Sequence, residues 1–116
     1  MVKKNTYDLE GCAEKLGIEP AMLKKLLLKS IPGFLSEVAL LKTAASQNDF
    51  TSLQVTAHKL KGSSGNYLLD TAYECAAAIS EKSEALHEYD YDEKITEIEN
   101  YLTDVKNTLE VESVDG

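Results

Sequence analysis

The chain has no arginine: all twelve of its basic residues are lysines. Without the planar fork of a guanidinium, any contact it makes with phosphate is a point-charge contact. Positive charge is also scarce overall, for 20 acidic residues leave a net charge of −8 at pH 7. A surface of that sign repels nucleic acid and anionic membranes, which excludes both as partners. Long apolar runs are missing too, and none approaches the roughly 18 residues of a membrane span. Met1-Val2-Lys3-Lys4 opens on basic residues but leads into Thr6-Tyr7-Asp8. No apolar stretch follows, so no secretory signal is expected and the compartment should be the cytoplasm. The only 2 cysteines, Cys12 and Cys75, fall where an apolar residue fits a helix. Buried reduced thiols are expected there and a disulfide is not. Cys12, His58, Cys75 and His87 lack metal-ligand spacing, so no metal or other cofactor is implied.

Strand signals are few, and what remains is helical periodicity. At 116 residues the chain fits one domain, residues 1–116, with 110–116 expected to fray. A first helix is predicted over Asp8 to Leu16, capped near Thr6-Tyr7-Asp8 and stopped by Gly17. Pro20 suits the first turn of a second helix, with Leu23, Leu26 and Leu27 inward. Pro32 opens or kinks a third, where Leu35, Val38, Leu41 and Ala45 follow the same spacing. Asn48-Asp49 caps the next helix. Another starts near Asp70-Thr71, with Thr71-x-x-Glu74 as a capping box, and buries Ala72, Cys75, Ala76 and Ile79. The acidic stretch Glu84 to Asp92 reads as a linker, and His87 within it as an ordinary surface histidine. Ile95, Ile98, Leu102, Val105 and Leu109 mark the last helix. Short connections between amphipathic helices predict an all-α fold, an antiparallel four-helix bundle with additional N-terminal helix or helices.

One residue does not fit a helix built only for packing. Phe50, Leu53, Ala57, Leu60, Ser64 and Tyr67 recur at steps of three and four, the seam of a helix facing a core. His58 points roughly 130° away from the middle of that seam at about 100° per residue. Thr51, Gln54, Val55, Lys61, Gly62 and Gly65 share its side of the helix. An unperturbed imidazole has a pKa near 6.5, so most are neutral and nucleophilic at pH 7. Lys61, one turn on, attracts an anion arriving on the ring. Such an attraction at 4 Å is worth about 1 kcal/mol in water and about 4 kcal/mol at a half-buried surface. Gly62 costs about 1 kcal/mol of helix stability relative to alanine. Together with Gly65 it lowers the steric wall beside the ring, which suits a docking macromolecule. A plain helix end at Gly65-Asn66 is the competing reading. The order GxxxxGK[ST] of a phosphate-binding loop is absent.

The run Ala57-His58-x-Leu60-Lys61-Gly62-Ser63-Ser64 resembles the signature of histidine-containing phosphotransfer (HPt) domains of multistep two-component phosphorelays. The resemblance covers most of the chain. Leu26 to Phe34 and Leu41 to Leu53 are similar to the family's apolar helix, proline, second helix and short Asn/Asp turn. Ala72, Cys75, Ala76 and Ile79 take the apolar positions of the following helix. The resemblance implies that His58 accepts a phosphoryl group from an aspartyl phosphate on a receiver domain and passes it to another receiver aspartate. It makes Lys61 the electrostatic support and gives Gly62 the role of leaving the ring open. It also implies response-regulator receiver domains and a sensor or hybrid histidine kinase as partners. Two positions depart from the family pattern. Leu68 stands where a glycine is usual. Ser80 stands where many members carry a Gln or Glu that orients the imidazole, leaving Ser80, Glu81 or a water for that task.

Three functional classes follow. A phosphoryl carrier without its own ATP-binding site, expected to be a monomer, accounts for the off-seam histidine, the lysine and the glycines. A non-catalytic adaptor bundle accounts only for the seams, and a phosphoacceptor domain cut from a larger hybrid histidine kinase is a variant of the carrier. A hydrolase with His58 as nucleophile lacks a second base, a metal cluster and an oxyanion arrangement. The dimerisation helix of histidine kinases has an acidic residue directly after its histidine, where this chain has Lys59.

Overall fold

The computed structural model describes residues 7–86 and 88–115, with side chains through Val111. The segment Met1-Val2-Lys3-Lys4 and His87 therefore lie outside the described residues. Five α-helices and no strand occur among the described residues: α1 (Leu9–Leu16), α2 (Pro20–Ser46), α3 (Phe50–Asn66), α4 (Asp70–Glu84) and α5 (Tyr91–Asp115). The Asp8 carboxylate caps α1 by accepting from the Gly11 N–H at 3.0 Å. Gly17 closes it in the left-handed region at φ 73°.

Pro32 does not open a new helix. Helix α2 runs unbroken for 27 residues with Pro32 inside it. Leu23, Leu27, Ile31, Phe34, Val38, Leu41 and Ala44 form one buried seam that continues across the proline. Leu26, Leu35 and Ala45, expected inward, are half-buried at its edges. Pro32 and Gly33 face solvent. The missing N–H thus falls on the solvent side of the helix, and the seam holds both halves to the core.

Helix α3 is capped by Asp49, which accepts from the Ser52 N–H at 3.1 Å and the Ser52 hydroxyl at 2.7 Å. Its end is a left-handed closure, with Leu68 N–H donating to the Gly65 carbonyl and Leu69 N–H to that of Ser64. Leu68 takes φ 58° there, so the turn that a glycine would make is made by a leucine. Left-handed backbone costs a leucine about 1–2 kcal/mol. Helix α4 starts behind the buried Leu69 without a side-chain cap. The expected Thr71–Glu74 capping box does not form, because Thr71 already lies inside the first turn. Asp90 caps α5 by accepting from the Glu93 N–H at 3.0 Å, which narrows the linker to residues 85–90. Helical backbone then continues to Asp115, into the 110–116 segment expected to fray. The fully buried Leu109 anchors the turn that enters it.

Helices α2, α3, α4 and α5 each pack on two of the others, so the four close into a ring, and α1 lies on α2. The most extensive contact is between α3 and α4. Small buried residues make it possible: Ala57 and Ser64 on α3, Ala72, Ala76, Ser80 and Ser83 on α4. The buried hydroxyls are satisfied locally, Ser64 donating to the Leu60 carbonyl at 2.7 Å and Ser83 to that of Ile79 at 2.6 Å. Helix α4 is thereby drawn close along the flank of α3 that leads to His58.

Candidate functional site

The core seam of α3 is fully used: Leu53, Ala57, Leu60 and Ser64 are buried. That fixes the rotation of the helix and turns His58 to solvent. Thr51, Gln54, Val55, Lys61, Gly62 and Gly65 all lie within about 60° of His58 around the helix axis. They divide between two flanks. Gln54, Lys61 and Gly65 lie toward α4, Val55 and Gly62 toward α2, and Thr51 between them. Each flank has a different surface.

On the α2 side the surface is open and partly apolar. Val55 is 58% exposed. A Cβ built on Gly62 would meet no atom within 4 Å. Lys59, further round, pairs with Glu37 of α2 at 3.3 Å. Toward α4, Thr51 and Gln54 line a cleft of about 250 Å³ with Phe50, Ser83, Glu84 and Leu86. Leu86 is 67% exposed and adopts φ 58°.

Lys61 is half-buried, and its ammonium lies 5.9 Å from the centre of the Tyr73 ring on α4. No carboxylate among the described residues pairs with it. Gly65 is half-buried as well, and a Cβ there would come within 3.2 Å of Tyr73 Cδ1. The room at Gly65 is therefore occupied by an aromatic ring of the same chain, whereas the room at Gly62 is free. Ser80 is 7% exposed in α4 and forms no hydrogen bond with His58. Its side chain reaches only one atom beyond Cβ and is enclosed in the α3–α4 contact, so the structure does not join the two. No hydrogen bond to His58 is formed by any described residue.

Sequence reasoning missed Tyr73. The available signal was an aromatic residue off the inward positions Ala72, Cys75, Ala76 and Ile79 of its helix. What could not be read was the register that sets it against Lys61 and Gly65. Both cysteines are free thiols. Burial, together with the nearby Glu97 carboxylate, pushes the Cys75 thiol up to about 11, so it serves as an apolar filler and not as a nucleophile. No group of three or more His, Cys, Asp or Glu side chains among the described residues is arranged to hold a metal ion. Nor is any described helix long and apolar enough to cross a membrane.

The face thus offers one exposed imidazole, one cation not neutralised by a carboxylate, and an unobstructed approach. It can accept an electrophile carried in by another macromolecule. Compared with known proteins, residues 23–108 match a family model described as the Hpt domain. No curated protein and no solved structure gave a significant match.

Proposed function

This chain belongs to the Hpt domain family, and we propose that His58 is its phosphoacceptor in a relay between receiver domains. Members of this family carry phosphoryl groups in phosphorelays. The observation that carries the residue assignment is the solvent-facing imidazole between an open Gly62 and a carboxylate-free Lys61.

In the step we assign, the unprotonated imidazole nitrogen attacks the phosphorus of an aspartyl phosphate. The bond from phosphorus to the aspartyl oxygen breaks, and the carboxylate leaves with the electron pair. The ring keeps its own proton as a phosphoimidazolium, so no external acid or base is required. Transfer onward is the same step reversed, with a second receiver carboxylate as nucleophile. The phosphoryl group in passage carries its negative charge spread over three oxygens, and Lys61 supports it as a point charge.

A receiver must bring its aspartate into line with the ring, which requires a low surface. Val55 offers it an apolar contact, Gly62 an open approach, and Thr51 and Gln54 a polar edge. The ring of α2 to α5 is read as the family's antiparallel four-helix bundle, with α1 as the N-terminal addition and residues 1–116 as one domain. The partners are receiver domains and, upstream, a sensor or hybrid histidine kinase, met by a monomer in the cytoplasm. The protein carries phosphate and does not itself use ATP.

The experiment is to mix the protein with a phosphorylated receiver domain and assay base-stable, acid-labile phosphate. His58→Gln should keep its helical circular dichroism and take up none. Equal labelling of His58→Gln and wild type would remove the assignment. An unlabelled wild type that still binds receivers would favour the adaptor reading.

A further inference from the structure

Building on the phosphoryl-carrier reading, we propose that Tyr73 is a positioning residue: its ring holds the Lys61 ammonium beside His58 without cancelling its charge. Lysine carries a flexible four-carbon stem, and an ammonium free in solvent samples many positions. Two kinds of partner can hold it. A carboxylate does so by setting an opposite charge against it, as in the Glu37–Lys59 pair at 3.3 Å. An aromatic face attracts the cation through its quadrupole but has no net charge, so the full positive charge stays available to an incoming anion. At 5.9 Å from the ring centre, Lys61 is within the range of that attraction.

Three features of the chain combine to make the seat. Lys61 and Gly65 are one turn apart on the same flank of α3. With no side chain at Gly65, the Tyr73 ring can lie against the helix, where a Cβ would meet Cδ1 at 3.2 Å and Cε1 at 3.4 Å. Tyr73 stays 41% exposed, so its outer edge is not part of the core. Gly65 on this reading serves the site indirectly, by admitting the ring.

The test uses the full chain and phosphoramidate, a small donor that needs no docking surface. The unprotonated nitrogen of His58 bonds to phosphorus as the P–N bond breaks. Ammonia leaves, and the proton on the other ring nitrogen stays in the phosphoimidazolium. Tyr73→Leu should slow His58 labelling about three- to fivefold. Tyr73→Phe, which keeps the aromatic face, should restore the wild-type rate. Lys61→Ala combined with Tyr73→Leu should be no slower than Lys61→Ala alone, because the ring acts only through the lysine. In wild type, the Lys61 ε-methylene protons should show a ring-current upfield shift that Tyr73→Leu abolishes. A wild-type rate in Tyr73→Leu, independent losses that multiply in the double variant, or no ring-current shift would each overturn the proposal. Wild type that takes no phosphate on His58 from a phosphorylated receiver would instead overturn the carrier reading beneath it.

Discussion

Two glycines, Gly33 and Gly62, occupy exposed positions inside helices, and each would accept a Cβ without meeting another atom. Physics assigns both the same conformational cost, about 1 kcal/mol relative to alanine. Only Gly62 lies beside His58. Replacing either by glutamine should therefore raise the melting temperature or leave it unchanged. Gly62→Gln should block phosphoryl transfer from a receiver, whereas Gly33→Gln should transfer normally. Parallel melting and transfer assays check this, and normal transfer by Gly62→Gln would show that access is not what the glycine provides. Cys75 supplies a second expectation at this scale. With its thiol pushed up to about 11 by burial, it should resist thiol reagents at pH 8 in the folded protein and react on unfolding. Reaction of the native protein at Cys75, read by peptide mass, would contradict the packing. The exposure of His58 was legible from periodicity alone, because the seam residues on either side determine the helix rotation. The seat of Lys61 was not legible, because it depends on the register between α3 and α4.

Helix boundaries carry the next set of consequences. The Ser52 hydroxyl and N–H both donate to Asp49 and hold its carboxyl below the ordinary carboxylate value. A depressed folded-state value means that the cap stabilises above the unfolded pKa, near 3.9, and loses its contribution as pH falls through the folded value. Asp49→Ala should therefore melt lower than wild type at pH 7, with the gap closing on acidification. Asp49→Asn, which can cap without titrating, should hold a constant margin over Asp49→Ala across the same range. Thermal melts from pH 7 to pH 2 check the sign. Helix α4 ends at a leucine held in the left-handed region, and Leu86 there is 67% exposed. Leu86→Gly should relieve about 1–2 kcal/mol of strain and lose part of that to backbone entropy. The net gain should be about 0.5–1 kcal/mol, seen as a melting temperature raised by about 2–5 °C. A proline usually interrupts a helix, but the seam of Leu27, Ile31, Phe34 and Val38 crosses Pro32 on the opposite face and keeps α2 whole. The Thr71 capping box failed for a related reason, since burial of Leu69 sets where α4 begins.

At the scale of the whole molecule, four helices build a support for the face of α3 on which the proposed acceptor His58 lies. The pattern of seams was enough to read the all-helical class, since each helix leaves its core stripe in the spacing of its apolar residues. The pairing of stripes was not readable, because shape complementarity between small residues on α3 and α4 decides it. With no arginine in the chain, a phosphoryl group on the proposed acceptor His58 would meet the point charge of Lys61 and not a two-pronged clamp. A carrier of this kind should stay unlabelled with ATP and magnesium alone and acquire phosphate only from a phosphorylated partner. The most direct test follows label from a ³²P-phosphorylated receiver domain into this protein and on to a second receiver, using wild type and His58→Gln. The account predicts acid-labile label on wild type at His58, its passage to the second receiver, and neither event with a folded His58→Gln. Label reaching the second receiver through His58→Gln at the wild-type rate would contradict it.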